Sequence, residues 1–307
     1  MTDNPHHDDG PRLGKVGLWT FAFDDRPAGE LRDGAAEIEE LGYGALWFGE
    51  GFGRDSVSQS WLLLSATRRI TVAAGIANIA LRDPISMAAA ERALNEAHPG
   101  RYVLGLGGHR ISDGPIQMDG YAIPSLGRAV TTMGGYLDAM DAVPLNSPAP
   151  ERAPRRMLAA LGPKMLDLAA RRTLGAHTYF VPVEHTARAR QAMGPGARLA
   201  VEQAVVLHPD PARARELAAE HVFFYRTGAP HQAASLRRLG FGEDEIEHGS
   251  DRLVDAIVAH GDVEAIEKRV RAHLDAGADH VCLQVLTDRP GEPPLPEWRE
   301  LAALTSL

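Results

Sequence analysis

Eight apolar segments of strand length alternate with helix-like segments along the chain, and this alternation constrains the fold most strongly. The predicted strands cover residues 16–20, 44–48, 70–74, 102–106, 156–160, 176–181, 199–207 and 279–286. Apolar residues at three- and four-residue steps predict helices between them, for example over 29–41, 84–97 and 262–275. Strands that alternate with helices form a parallel sheet, and eight such strands close a barrel. The sequence therefore predicts an α/β fold, a (β/α)8 TIM barrel.

Two longer stretches interrupt this alternation and predict insertions after strand 4 and strand 7. Residues 111–123 show no periodicity, and residues 229–260 read as helix in pieces. The proline-rich stretch 144–154 would divide two doubly wound halves, but that fold needs a Gly-x-Gly-x-x-Gly turn after the first strand, and none is present. We expect a disordered tail over residues 1–14 and a single barrel domain over 15–307.

Composition and charge narrow the classes of partner. The chain has 307 residues, a formal net charge of −9, 44% hydrophobic residues and 24% charged residues. The negative charge disfavours nucleic acid and anionic membranes, which both need a basic face. No apolar run reaches the roughly 18–20 residues of a membrane span, and the amino terminus lacks a signal-peptide core. A cytoplasmic protein with a small-molecule partner is expected, and the single cysteine, Cys282, is predicted to be a buried structural thiol.

In a barrel, the segments that follow the strands converge at the carboxyl rim. These segments contain mainly glycine and aromatic residues, and Glu50 and Glu184 are the only acidic residues in them. The rim offers no close pair of acids for glycoside hydrolysis and no Gly-x-Ser-x-Gly elbow for a serine hydrolase. His109, His185 and His208 follow separate strands without carboxylate support, so no metal site is predicted. Backbone amides and apolar walls of this kind suit a flat, redox-active ring.

Two rim segments are glycine-rich. Gly75, Ile76, Ala77 and Asn78 follow the third strand, and a glycine inside a strand pattern indicates a bulge or a close approach of the backbone to another group. The alternative role for Asn78 is to satisfy the hydrogen bonds of the bulge backbone. Gly107 and Gly108 follow the fourth strand and can form a backbone nest for an anion.

The remaining candidates concern phosphate binding and proton transfer. The turn Ala160–Lys164 opens a helix, so its amides and Lys164 can hold a phosphate, although a solvated lysine is the alternative. His185 either contacts the ligand or caps its helix. Glu50 and His109 are candidates for acid–base catalysis. The alternative for Glu50 is a salt bridge within the loop, and the alternative for His109 is an exposed loop position without a function. Trp47 and Trp61 are predicted to lie in the core.

Several motifs together resemble the bacterial luciferase-like monooxygenase superfamily and, within it, an actinobacterial subgroup of F420-dependent oxidoreductases. They are VAAGIANIALRDP, RYVLGLGGHR, LAALGPKMLDLAARRTLGAHTYFVPVEHTARAR and LDAGADHVCLQVL. The resemblance extends from about Gly14 to Leu286. It implies a (β/α)8 barrel, often a homodimer, that binds coenzyme F420 or, alternatively, FMN at the carboxyl rim.

The resemblance also implies roles for individual residues. Glu50 holds the position of an acid near the reactive ring, whereas Gly51 replaces the histidine of several deazaflavin enzymes. Gly75, Ile76 and Ala77 match a bulge that often contains a non-proline cis peptide behind the ring.

Two further segments match the phosphate end of the family's cofactor site. Ala160, Leu161, Gly162 and Pro163 match the phosphate-binding turn, with Leu161 in place of its usual second glycine. Val181, Pro182 and His185 belong to a segment that would cover the phosphate and the ribityl chain.

Three hypotheses for function follow. The first is hydride transfer between reduced F420 and an organic substrate, with Glu50 or His109 moving the proton. The second is an FMN-dependent monooxygenase on the same fold, and the third is a cofactor-binding barrel without catalysis. The substrate depends on residues 111–123 and 223–241, whose shapes the sequence does not fix.

Overall fold

The protein forms a closed barrel of parallel strands surrounded by helices. A computed structural model describes residues 12–51, 53–108, 116–118, 121–123, 129–228, 230–289 and 291–307. The strands are β1 Val16–Trp19, β2 Ala45–Phe48, β3 Thr71–Ala74, β4 Ala77–Asn78, β5 Tyr102–Gly107, β6 Ile116–Met118, β7 Tyr121–Ile123, β8 Arg155–Ala159, β9 Gly175–Thr178, β10 Arg198–Leu207, β11 Ala259–Gly261 and β12 His280–Val285.

The helices are α1 Ala28–Glu40, α2 Ser56–Ala66, α3 Pro84–Ala97, α4 Ala129–Asp141, α5 Pro163–Arg172, α6 Val183–Met193, α7 Pro211–Gly228, α8 Pro230–Leu239, α9 Glu243–His248, α10 Asp251–Ile257, α11 Val263–Asp275 and α12 Leu295–Leu301. A 3₁₀ helix follows at Ala302–Ser306.

Strand pairing closes the barrel in the order β1-β2-β3-β5-β8-β9-β10-β12, and β12 pairs with β1. The closing pairs place Val16 beside Val281 and Gly175 beside Arg198. The short strand β4 continues β3 after an interruption at Gly75–Ile76 and pairs with β5. The predicted (β/α)8 barrel is confirmed.

Both predicted insertions are present. The segment between β5 and α4 contains the antiparallel hairpin of β6 and β7. The segment after β10 contains α8, α9, α10 and β11, so the stretch predicted to be helical in pieces is three helices and a short strand.

Two element boundaries were predicted wrongly, for local reasons. The apolar run 60–67 predicts a helix that starts at residue 60, but α2 begins at Ser56, because the Asp55 side chain accepts from the Ser58 amide and caps the helix. Strand β9 ends at Thr178 rather than at residue 181. Phe180 adopts φ 57° and its amide donates to the Glu202 side chain, so the chain leaves the sheet there.

The core has an outer layer between strands and helices and an inner layer inside the barrel. The inner layer contains Leu13, Trp19, Ala45, Trp47, Ala73, Val103, Met157, Ala200 and Cys282. Trp47 and Cys282 are buried, which confirms the predictions made for them, and Leu13 is buried with them. Trp61 is 44% exposed, so its prediction as a core residue was wrong. No helix within the described part of the chain has the length and apolarity needed to cross a membrane.

Candidate functional site at the carboxyl rim

The tip of β3 is built around a cis peptide bond between Gly75 and Ile76, as the resemblance implied. The indole Nε1 of Trp19 donates to the Gly75 carbonyl at 3.1 Å, and the Glu50 amide donates to the Ile76 carbonyl at 3.2 Å. A Cβ on Gly75 would lie 2.9 Å from Trp19 Nε1, so only glycine fits there without a shift.

Glu50 holds this tip from the side. Its carboxylate accepts from the amides of Ser56 at 2.9 Å and Asn78 at 2.8 Å, and from Arg82 Nη1 at 2.7 Å. Burial raises the pKa of Glu50, but the hydrogen bonds from Arg82, Asn78 and Ser56 outweigh burial and lower it below its usual value. Glu50 is therefore an ionised brace, and the loop salt bridge weighed from the sequence is present. Its role in proton transfer stays a prediction.

Gly107 packs directly against the tip. A Cβ on Gly107 would lie 2.6 Å from Ile76 Cγ1 and 3.1 Å from the Ala159 Cβ. The Gly107 carbonyl accepts from the Ile79 amide at 2.8 Å, and Asn78 stands opposite Gly107 in the β4–β5 pairing. Gly108 follows and is exposed, whereas His109 lies outside the described residues.

The predicted phosphate turn follows β8 and opens α5. The Ala160 amide donates to the His177 carbonyl at 3.2 Å, which ties the turn to β9. Gly162 is the N-cap and Pro163 the first residue of α5, and the cap lacks a side-chain hydrogen bond. A Cβ on Gly162 would meet no heavy atom of the described chain within 4 Å, so open space lies above this helix terminus. Lys164 is exposed in the first turn.

His185 joins the second predicted segment to this turn. Its Nε2 lies 2.9 Å from the Leu161 carbonyl, to which it donates, so it neither caps α6 nor lies free. Helix α6 begins after the buried residues Val181 and Pro182, and its N-cap also lacks a side-chain hydrogen bond. Burial lowers the pKa of His185, and the nearby charges of Arg238 and Arg188 lower it further. The neutral His185 ring thus holds two uncapped helix N-termini together.

Sequence reasoning missed several polar groups inside the barrel. His177 stacks on Trp47 with ring centroids 4.6 Å apart, and burial lowers its pKa to about 3. Glu202 accepts from the Phe180 amide at 2.9 Å, and burial raises its pKa to about 8. The available signal was a polar residue at an inward position of an otherwise apolar strand, as in AHTYF and LAVEQAVVL.

The described residues fit an elongated ligand with a flat end and an anionic end. The tip around Ile76 and Gly107 would contact the flat end of such a ligand. The N-termini of α5 and α6, which lack side-chain caps, would contact the anionic end, and Gly162 at the start of α5 faces open space. Both ends lie at the carboxyl ends of β3, β5, β8 and β9, which are neighbours in the barrel. Among the side chains that the structure describes, no group of three His, Cys, Asp or Glu residues could hold a metal ion.

Fold and rim together define the class: a (β/α)8 barrel whose glycine-rich strand tips meet at its carboxyl rim. The sequence profile of the luciferase-like monooxygenase family matches residues 6–280. The chain belongs to this family and is an oxidoreductase.

Individual relatives agree with this membership. The "Putative coenzyme F420-dependent oxidoreductase Rv3520c" of Mycobacterium tuberculosis is 25% identical, and the alignment covers 94% of this chain and 98% of the relative.

Solved structures share the fold. An F420-dependent secondary alcohol dehydrogenase in complex with an F420–acetone adduct superposes with a TM-score of 0.70 at 15% identity, covering 94% of this chain and 96% of that chain. An FMN-bound type II Baeyer–Villiger monooxygenase component from Pseudomonas putida gives 0.67 at 14% identity, covering 95% and 97%.

Proposed function

We propose that the protein transfers hydride between coenzyme F420 and an organic substrate. The observation that carries the proposal is the pair of uncapped helix termini, joined through His185 and Leu161, on the same rim as the Gly75–Ile76 tip. The mycobacterial relative named as an F420-dependent oxidoreductase supports the same assignment.

Three cations near this pair of termini favour F420 over FMN. Lys164 lies in the first turn of α5, and Arg188 and Arg238 are close enough to His185 to lower its pKa. None of the three forms an ion pair with an acid in the described part of the chain, and the Arg188 guanidinium donates to the Arg238 carbonyl at 2.6 Å. Unneutralised cations in one region of a protein with net charge −9 attract an anionic ligand. F420 carries glutamyl carboxylates beyond its phosphate, whereas FMN ends at the phosphate.

The chain's own residues would orient the cofactor and leave the redox chemistry to it. Reduced F420 supplies a hydride when it is bound. The backbone of Gly75, Ile76, Ala77 and Gly107 would support the ring, and the first-turn amides of α5 and α6 would hold the phosphate. Glu50 would keep the tip in place through Asn78 and Arg82.

His109 is the group we propose for proton transfer, because Glu50 is held ionised by its donors.

A homodimer is also proposed. Three exposed apolar side chains on and near α2 and α3, Trp61, Leu81 and Ile85, support self-association. A cytoplasmic location stays a prediction.

Fluorescence titration of F420 tests the cofactor assignment. We expect saturable binding, and a Lys164→Ala/Arg238→Ala variant to bind about threefold to thirtyfold more weakly, with a larger loss for longer glutamyl tails. Lys268→Ala removes an exposed lysine of α11 and is the matched control, expected to bind like the wild type.

Absence of saturable F420 binding would contradict the proposal. FMN is the second candidate, because the matching family is named for monooxygenases and FMN also has a ring and a phosphate. Oxygen uptake with reduced FMN would then distinguish a monooxygenase from the proposed hydride transfer.

A further inference from the structure

A cleft of about 320 Å³ opens at the carboxyl ends of β1 and β12, where these strands meet α7. Its lining is about equally polar and apolar, and Phe21, Ala22, Leu217, Val285 and Leu286 form much of the apolar part. Gln284, the last inward-facing residue of β12, also lines it. The cleft is large enough for a small organic molecule.

A hydrogen-bonded chain fixes the orientation of the Gln284 amide. The Tyr179 hydroxyl lies 2.6 Å from Gln284 Oε1 and 2.7 Å from the Tyr225 hydroxyl. A tyrosine hydroxyl has one proton, so Tyr179 donates to the Gln284 oxygen and accepts from Tyr225. The Gln284 Nε2 group has no partner among the residues described, and its two protons are left to donate to a ligand.

The charges of the cleft disfavour an anionic ligand. Arg289 is a lining cation, but both Glu297 oxygens accept from its Nη2 at 2.7 Å. Glu220 and Glu292 also line the cleft and add negative charge. Burial lowers the pKa of His221, another lining residue, to about 4, so its ring is neutral at physiological pH.

The cleft lies next to the tip of β3. The Tyr179 ring packs on Trp19 with centroids 5.0 Å apart, and Trp19 Nε1 donates to the Gly75 carbonyl. Phe21 packs edge-on against Trp19 at 4.6 Å and lies close to Gly49. Tyr179 and Trp19 therefore connect Gln284 to the cis peptide through two hydrogen bonds and one ring contact.

We propose that this cleft binds the substrate, that the substrate is a neutral carbonyl compound with an apolar body, and that Gln284 Nε2 donates to its carbonyl oxygen. Tyr179 and Tyr225 are positioning residues that hold the amide with its donors toward the ligand. The inference rests on the proposed function, because it assigns the substrate of that reaction.

Ligand-observed NMR on the full-length protein without cofactor tests the inference separately from F420 binding. The probes are cyclohexanone and cyclohexanecarboxylate, which share a ring and differ in charge. Cyclohexanone should bind more tightly than cyclohexanecarboxylate, and Gln284→Leu should weaken cyclohexanone binding by about twofold to tenfold. Gln191→Leu makes the same change on the exposed face of α6 and should not alter binding.

Tyr179→Phe and Tyr225→Phe give a readout that a purely structural role would not produce. Both should weaken cyclohexanone binding while F420 affinity, followed by fluorescence, stays within error of the Gln191→Leu control. Undetectable cyclohexanone binding, tighter binding of the carboxylate, or unchanged binding in Gln284→Leu would overturn the inference. Loss of F420 binding in the wild type would instead count against the proposed function.

Discussion

Glu50 and Arg82 show how a buried charge is held in place by its neighbours. The Glu50 side chain is 2% exposed and that of Arg82 12% exposed, so both charges depend on each other for stabilisation. The sequence places Arg82 beside the helix-initiating Asp83 and Pro84, and only the folded chain brings it to Glu50. An acid at a strand end is thus visible in the sequence, but the partners that decide its protonation are not.

Removing one partner of this pair should be costly. Arg82→Gln leaves the Glu50 carboxylate buried without its cation, and we expect the free energy of unfolding to fall by about 3 kcal/mol in urea denaturation. Arg92→Gln is the control, because Arg92 donates to the backbone carbonyls of Ser147 and Pro148 and should cost less than about 1 kcal/mol. Equal losses in the two variants would contradict the role of Glu50 as an ionised brace.

Glu202 predicts a pH dependence of stability. Its folded-state pKa is raised to about 8 from 4.5, so its contribution to stability is present in full below pH 4.5 and is lost as pH rises through 8. At pH 9, Glu202→Gln should be more stable than the wild type by on the order of 1–4 kcal/mol, with a small difference at pH 5. Glu96→Gln, an exposed change on α3, should leave the difference from wild type flat across this range. If the free energies of unfolding of the wild type and of Glu202→Gln change in parallel with pH, Glu202 is not protonated in the folded protein.

At the scale of elements, the sequence predicted the boundaries that are set by interactions between residues close together in the chain. Helix α3 has the predicted bounds, because Asp83 caps it by accepting from the Ile85 amide and Pro84 occupies its first turn. The end of β9 was not predictable in this way, since it depends on Glu202, 22 residues further along the chain from Phe180. The exposure of Trp61 likewise depends on which face of α2 meets the barrel.

The close contact between β5 and the β3 tip gives an element-scale prediction. Gly107→Ala places a Cβ against Ile76 Cγ1, so we expect a loss of about 1–3 kcal/mol in stability and weaker F420 binding. Gly134→Ala lies in α4 with open space around it and should stabilise the protein by about 0.5–1 kcal/mol without changing F420 affinity. If Gly107→Ala and Gly134→Ala bind F420 with the same affinity, the cofactor does not lie against this contact.

At the scale of the whole molecule, the barrel brings together residues that are far apart in sequence. The strand count and the alternation with helices were sufficient to predict the fold and the rim segments. They were not sufficient to predict that His185 bonds to Leu161, or that Tyr179 bonds to Gln284, because these contacts join residues that belong to or follow different strands. Most of the proposed cofactor-binding backbone was therefore predictable, whereas the side chains that position it and line the cleft were not.

The tips of β3, β5, β8 and β9 are proposed to hold one planar cofactor between them. A crystal structure of the protein with F420 tests it most directly. We predict the ring against the Gly75–Ile76 peptide and Gly107, and the phosphate at the first turns of α5 and α6. A cofactor bound at another face, or a phosphate far from Gly162 and His185, would contradict the account.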